Sequence, residues 1–378
     1  MYWLTLYWPR TYIMVAITAF VLSAACMPIA IIVLRKLGLL DTVKEDRLHQ
    51  RPVPRLGGVV MFFAFAVAVI LPGYRSHAFN GVMVGALICL VIGAIDDLTG
   101  GKIPGIWKLA TLVLVTFIMQ WFGVHLHAFK SAWLDTLVMI LWVVGVTSAF
   151  NGIDNMDGLA SGVAIIVSAV YLFISMQAWW VVKTETSLAW FGMLSAGLIG
   201  TNLGFLIYNS KPARIFMGDS GSFFLGFMLA ALGVMGEWNE NRIISCTIPV
   251  LVLGVPLFDF AYVVITRILT GQTRTLVQVI NHCGMDHISH RLTWIGFSQR
   301  RAVLFVYLIC IAFGATGILL RNSVNYLDSA LGILQGLSIL TIVVVLMKTA
   351  DIRGNGKNNG GAHLGQRPDG IRNGKGRV

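Results

Sequence analysis

Residues 80–100 read "NGVMVGALICLVIGAIDDLTG": no side chain from Asn80 to Ile95 is charged, and then two carboxylates, Asp96 and Asp97, stand side by side. A charge at the centre of a membrane helix costs about 2.5–3.5 kcal/mol on insertion scales, so such residues belong at a mouth or in a site. The stretch predicts a membrane helix that ends where something polar is held. On a helix of 3.6 residues per turn, adjacent residues point about 100° apart, so the two carboxylates cannot both grip one ion unless the helix ends there. Two solvated acids at a helix C-terminus would moreover oppose the dipole.

The rest of the chain has the same character. Of its 378 residues 57% are hydrophobic and only 12% charged, against about 25% charged in ordinary soluble proteins. Uncharged apolar runs fall near 13–34, 57–72, 79–95, 106–122, 136–149, 159–181, 188–208, 221–236, 243–265, 302–320 and 326–347. Most are long enough to cross a hydrocarbon core of about 30 Å as helices. The expected fold is an all-α polytopic integral membrane protein with about eleven transmembrane helices. The first run is too long for a cleaved signal and no cleavage pattern follows it, so it reads as a retained helix.

The net charge of +11 does not indicate nucleic acid, because of where the basic residues lie. Arg10, Arg75, Lys130, Lys183, Arg242 and Arg321 fall one to a segment on one side, and the other Lys and Arg gather on the opposite side. The positive-inside rule then places the N-terminus outside and the C-terminus in the cytoplasm. Trp3, Trp8, Trp121, Trp133, Trp179, Trp180, Trp190 and Trp238 sit at expected outer ends, as an interfacial belt would. No linker divides residues 1–348, which read as one membrane domain; the glycine-rich basic segment 349–378 reads as a disordered cytoplasmic tail near anionic lipid.

Every unusual polar cluster falls on the cytoplasmic side: "HQRPVPRLGG" (49–58), Asp96–Asp97, "NGIDNMDG" (151–158), "FMGDSGS" (216–222) and "NHCGMDHISHRL" (281–292). An alternating-access transporter needs polar groups near the midplane. Chemistry gathered at one face points instead to an enzyme with a cytoplasmic substrate. Asn151, Asp154 and Asp157 are spaced to form a polar stripe of hard oxygen ligands suited to Mg²⁺, with helix capping as the plainer reading. Asp219 opens a helix between glycines, where backbone N–H groups face an anion, though capping would also explain it. His287, His290 and Arg291 suit binding or protonating phosphate oxygens, and within "DHISHRL" no cysteine or third histidine completes a zinc site, Asp286 being a weak addition. Asp259, within "PLFDFAYVV", reads as a buried partner between helices. Acids that would repel a phosphorylated substrate, beside groups that would bind one, are reconciled by a divalent cation.

With these residues in place, the chain resembles the polyprenyl-phosphate N-acetylhexosamine-1-phosphate transferases, the membrane family that includes the phospho-MurNAc-pentapeptide transferases. The resemblance spans roughly residues 35–305 and rests on five ordered motifs: "HQRPVPRLGG", "GAIDDLTG", "SAFNGIDNMDGLASG", "IFMGDSGSFFLGF" and "DHISHRL". It implies transfer of a sugar 1-phosphate from a UDP-N-acetylhexosamine to polyprenyl phosphate with release of UMP, aided by Mg²⁺ or Mn²⁺, at the cytoplasmic face of the bacterial inner membrane. It implies Asp219 and Asn151 as metal ligands, Asp96, Asp97 and His287 as catalytic groups, and Lys108, Asp154, Asp157, His290, Arg291 and Arg55 as substrate contacts. It also allows a homodimer. Ser289 replaces a histidine of the fuller family motif, and the triple histidine of the muramoyl-peptide branch is absent, which favours the GlcNAc-type branch. An intramembrane prenyltransferase or a proton-coupled transporter are the alternatives.

Overall fold

The computed structural model describes residues 8–41, 52–129, 131–182, 186–236, 238–239, 241–273, 284, 286–323 and 326–362; of residues 8, 178–182, 186–189, 326 and 351–362 only the backbone is described. The apolar runs become helices because, in lipid, backbone N–H and C=O groups must be satisfied within the segment. In chain order these are α1 (Trp8–Lys36), α2 (Gly57–Ile70), α3 (His77–Thr99), α4 (Gly105–Trp121), α5 (Ala132–Ile153), α6 (Leu159–Val182) and α7 (Thr186–Asn209). After them come α8 (Gly218–Met235), α9 (Arg242–Val252), α10 (Gly254–Leu269), α11 (Ile288–Trp294), α12 (Gln299–Arg321) and α13 (Tyr326–Ala362). Strands β1 (Leu40–Asp41) and β2 (Val53–Pro54) form a small antiparallel pair between α1 and α2.

The centre of the bundle is α8. Every residue from Ser220 to Gly233 is buried, as expected of a helix that is apolar all round, and α2, α3 and α5 pack against it. Phe224 sits between the rings of Phe62 and Phe65. On one flank α7 joins α1 by close backbone approach. A Cβ on Gly200 would stand 2.1 Å from the Ala16 carbonyl oxygen, and one on Gly204 2.7 Å from that of Phe20. This is the small-residue spacing that lets membrane helices touch. The Ser23 hydroxyl donates to the Thr201 carbonyl and the Thr201 hydroxyl to that of Met61, each at 2.9 Å.

Three sequence expectations are modified. Among the described residues, eight helices are long and apolar enough to span a membrane, or nine if the pair α9 and α10 is one span. The runs near 57–72 and 106–122 form helices of 14 and 17 residues, and 14 residues rise only about 21 Å. The run near 243–265 is broken: α9 and α10 meet at 75°. Leu253 lies at the junction and Pro256 in the first turn of α10, where its missing N–H breaks no helical bond. Finally, Trp190 and Trp238 are not interfacial. Both are buried, Trp238 against Tyr171 and Phe191 with its indole N–H on the Gly233 carbonyl, and Trp190 stacked on Tyr74. Trp121 and Trp133 are exposed. Helix α13 continues to Ala362, into the segment read as tail, and residues 363–378 lie outside the described residues.

Candidate active site

The loops and helix ends at one end of the bundle converge on the first turn of α8. Gly100 and Gly101, both with positive φ, reverse the chain after α3. The turn brings the Ile103 N–H to Asp96 Oδ1 at 2.9 Å and the Lys108 ammonium, one turn into α4, to Asp96 Oδ2 at 2.7 Å. The same ammonium reaches Asp219 Oδ2 at 2.5 Å and lies over the Phe223 ring. Asn151, at the end of α5, donates its amide to Asp219 Oδ1 at 3.3 Å and to Ser222 Oγ at 2.9 Å. Asp96, Lys108, Asp219 and Asn151 thus form one connected cluster, in which Asp219 retains partial exposure.

Asp97 points elsewhere, as adjacent positions on a helix require. Its two carboxylate oxygens accept the backbone N–H groups of Asp219 and Ser220 at 2.9 and 3.0 Å. A carboxylate from α3 therefore caps α8, the favoured partner for a helix N-terminus. This corrects the expectation that these N–H groups are offered to a substrate anion. The packing is close: a Cβ on Gly93 would fall 2.4 Å from the Asp219 carbonyl oxygen.

Arg55 follows β2 and pairs with buried Asp41 at 2.7 Å. Backbone bonds from Phe216 to Pro54, Gly57 to Phe216 and Gly58 to Met217 bind this segment to the loop preceding α8. Asp154 ends α5 and is partly exposed. Burial, then the charges of Asp219 and Asp97, push its carboxyl up to about 8, with Arg55 opposing. Asp157 accepts the Ala213 N–H at 3.1 Å and so holds that same loop.

His287 precedes α11, and its Nδ1 lies 2.8 Å from Asp259 Oδ2. His290 is buried, and burial together with neighbouring His287 lowers it to about 4, so it stays neutral near pH 7. The Arg291 guanidinium is also buried, over Tyr262 and Trp294, with Nε on the Asp286 carbonyl. Asp286 is gripped by both Arg267 Nε and Nη2, at 2.7 and 2.5 Å. Burial works against its charge, yet Arg267 holds the carboxyl below its usual range. His290 and Arg291 thus sit in the packing of α11. Ser289 donates to Asn155 Oδ1 at 2.6 Å and ties α11 to the α5–α6 turn.

Among the described residues no three His, Cys, Asp or Glu side chains form a metal-binding group. The donors at Asp219 still fit a hard cation. Mg²⁺ typically takes one or two carboxylates and leaves its other positions to phosphate and water. A positive group, the Lys108 ammonium, already rests on Asp219. Rotating the Asn151 carboxamide by half a turn would present its oxygen beside that carboxylate.

The model of glycosyl transferase family 4 matches residues 79–237. A Bacillus subtilis (strain 168) protein named "probable undecaprenyl-phosphate N-acetylglucosaminyl 1-phosphate transferase" is 32% identical over 321 residues, 83% of this chain and 84% of that protein. The chain belongs to glycosyl transferase family 4. Two further relatives of this family 4 protein extend the comparison. The decaprenyl-phosphate N-acetylglucosaminephosphotransferase of Mycobacterium leprae (strain TN) is 28% identical over 374 residues, covering 90% of this chain and 92% of its own. The phospho-N-acetylmuramoyl-pentapeptide-transferase of Oceanobacillus iheyensis is 24% identical over 329 residues, covering 80% and 95%. The matched family segment contains the whole Asp96, Lys108, Asn151 and Asp219 cluster, and Arg55, Asp259 and His287 lie outside it.

Proposed function

We propose that this family 4 protein transfers GlcNAc-1-phosphate from UDP-GlcNAc to a polyprenyl phosphate, releasing UMP, at the cytoplasmic face of the bacterial inner membrane. The observation that carries the reading is the Lys108 ammonium within 2.7 Å of Asp96 and 2.5 Å of Asp219 at the end of an apolar bundle. A cation between carboxylates is what a diphosphate needs beside it, and the names of the relatives supply the substrate pair.

The acceptor phosphate has a second pKa near 6, so it is already mostly a dianion at neutral pH and a strong enough nucleophile for direct attack. Its oxygen attacks the β-phosphorus in line, the bond from that phosphorus to the bridging oxygen breaks, and UMP departs with the electron pair. Asp219 and Asn151 would hold Mg²⁺ or Mn²⁺, which when bound neutralises charge on the diphosphate. Lys108 gives its ammonium to a phosphate oxygen and Asp96 keeps it aimed there. Asp97 positions Asp219 by holding the first turn of α8. Since both Asp97 oxygens already accept N–H groups, direct transfer is favoured over a phospho-aspartate. Arg55 and Asp154 flank the nucleotide-sugar.

Purified protein, labelled UDP-GlcNAc and undecaprenyl phosphate provide the test. Metal-dependent appearance of labelled lipid is expected, and no product with any UDP-N-acetylhexosamine would refute the proposal.

A further inference from the structure

Helix α10, which begins at the bend after α9 and packs on α5, carries Asp259 in its first turns. Asp259 is completely buried in an otherwise apolar segment. Both its oxygens are committed to one neighbour: Oδ2 to His287 Nδ1 at 2.8 Å, and Oδ1 to the Ile288 N–H at 2.7 Å. The carboxylate thereby caps the first turn of α11 and clamps the ring at its start. The imidazole is pressed onto α5, with His287 Cε1 3.0 Å from where a Cβ on Gly152 would stand. Gly152 directly follows Asn151 near the end of α5.

We propose that Asp259 is a positioning residue that fixes His287 as the Nδ1–H tautomer and leaves Nε2 as the nitrogen facing the acceptor phosphate; this rests on the transferase reading above. A carboxylate only accepts hydrogen bonds, so the nitrogen against it carries the proton and the other ring nitrogen carries the lone pair. An acceptor phosphate arriving as the monoanion gives its P–OH proton to Nε2. The ring becomes imidazolium with Nδ1–H still on Asp259, and the freed oxygen attacks the β-phosphorus. As UMP leaves with the bridging oxygen, the ring returns the proton to water or to the UMP phosphate. His287 is the catalytic residue of this step, and Asp259 acts only through it.

The experiment compares wild type with Asp259→Asn, an isosteric change able to donate to the ring and so reverse its tautomer. Nitrogen-15 NMR of histidine-labelled full-length protein in detergent, with the His287 signal assigned by its loss in His287→Gln, should show Nδ1 protonated and Nε2 bare. At pH 5, a unit below the acceptor's second pKa near 6, kcat in Asp259→Asn should fall about tenfold, with KM for UDP-GlcNAc within about threefold. A purely structural role would lower the amount of folded protein and leave kcat per folded molecule unchanged. An Nε2–H ring in the wild type, or wild-type kcat in Asp259→Asn, would overturn the assignment. The wild-type tautomer decides even where the variant does not fold. Absence of transfer by the wild type would count against the reaction itself, whereas the tautomer reports on the clamp independently.

Discussion

Asp97 accepts the backbone N–H of Asp219 at 2.9 Å, so the second carboxylate of the Asp pair holds the helix that presents the residue it resembles. One acid orders the backbone and the other faces the ammonium of Lys108. Replacing Asp97 with Asn removes the charge from the α8 N-terminus and leaves one oxygen for two N–H donors. Loss of a helix cap costs about 0.5–2 kcal/mol. Thermal unfolding of Asp97→Asn should show a lowered Tm, and wild-type protein incubated with UDP-GlcNAc alone should carry no sugar-phosphate on Asp97. A trapped adduct there would establish double displacement.

Lys108 occupies the carboxylate a metal would use. Lys108→Gln should therefore bind Mg²⁺ more tightly without substrate, by about tenfold, since removing a cation a few ångströms away relieves repulsion of this order. Its turnover should fall about 10²- to 10³-fold, as for loss of a group aimed at developing charge. Calorimetric titration alongside the kinetics checks both. Unchanged metal affinity would separate Lys108 from the metal position.

Much of this arrangement was legible in the sequence, and the failures have physical causes. The apolar runs and the divergence of Asp96 from Asp97 follow from local periodicity. The cap on α8 does not, because its acceptor lies more than a hundred residues away and no local pattern announces a long-range partner. Gly218 and Gly221 made the α8 loop read as an anion cradle, whereas its N–H groups were already taken. Trp190 and Trp238 went astray because a Trp at a helix end serves equally in an interface or a core. Asp259 was legible as a buried partner, and its ligand, His287, was not, since the bend at Leu253 sets the approach of α10. Ser222 and Asn155 were passed over because a hydroxyl or carboxamide in a loop is common and only its geometry distinguishes it.

Gly93 tests the packing that supports the site. A methyl group there would meet the Asp219 carbonyl oxygen, 2.4 Å away, and the backbone of α8 has nowhere to yield. Gly93→Ala should cost about 1–3 kcal/mol, in the range of overpacked cores, and activity should fall with it. Denaturation of the purified variant measures the cost.

Asp154 makes metal-free stability depend on pH. Its folded carboxyl lies at about 8, above its ordinary 3.8, so between these values the folded state keeps a proton the unfolded state has lost. Stability from this group must then fall as pH rises through that window and level off above it. Asp154→Asn should remove the corresponding slope, read as the difference between wild-type and variant Tm from pH 5 to 9. Parallel profiles would contradict the assignment.

Every role assigned to these residues requires that the sugar move together with its phosphate. The most direct measurement gives the protein UDP-GlcNAc labelled with phosphorus-32 in the β position, with undecaprenyl phosphate and Mg²⁺, and follows the label. All of it should appear in the lipid product, with unlabelled UMP released in equal amount and none of this in Asp219→Ala. Label retained in a released UDP would mean that the sugar moves without its phosphate, and the chemistry assigned to Asp96, Lys108 and Asp219 would be wrong.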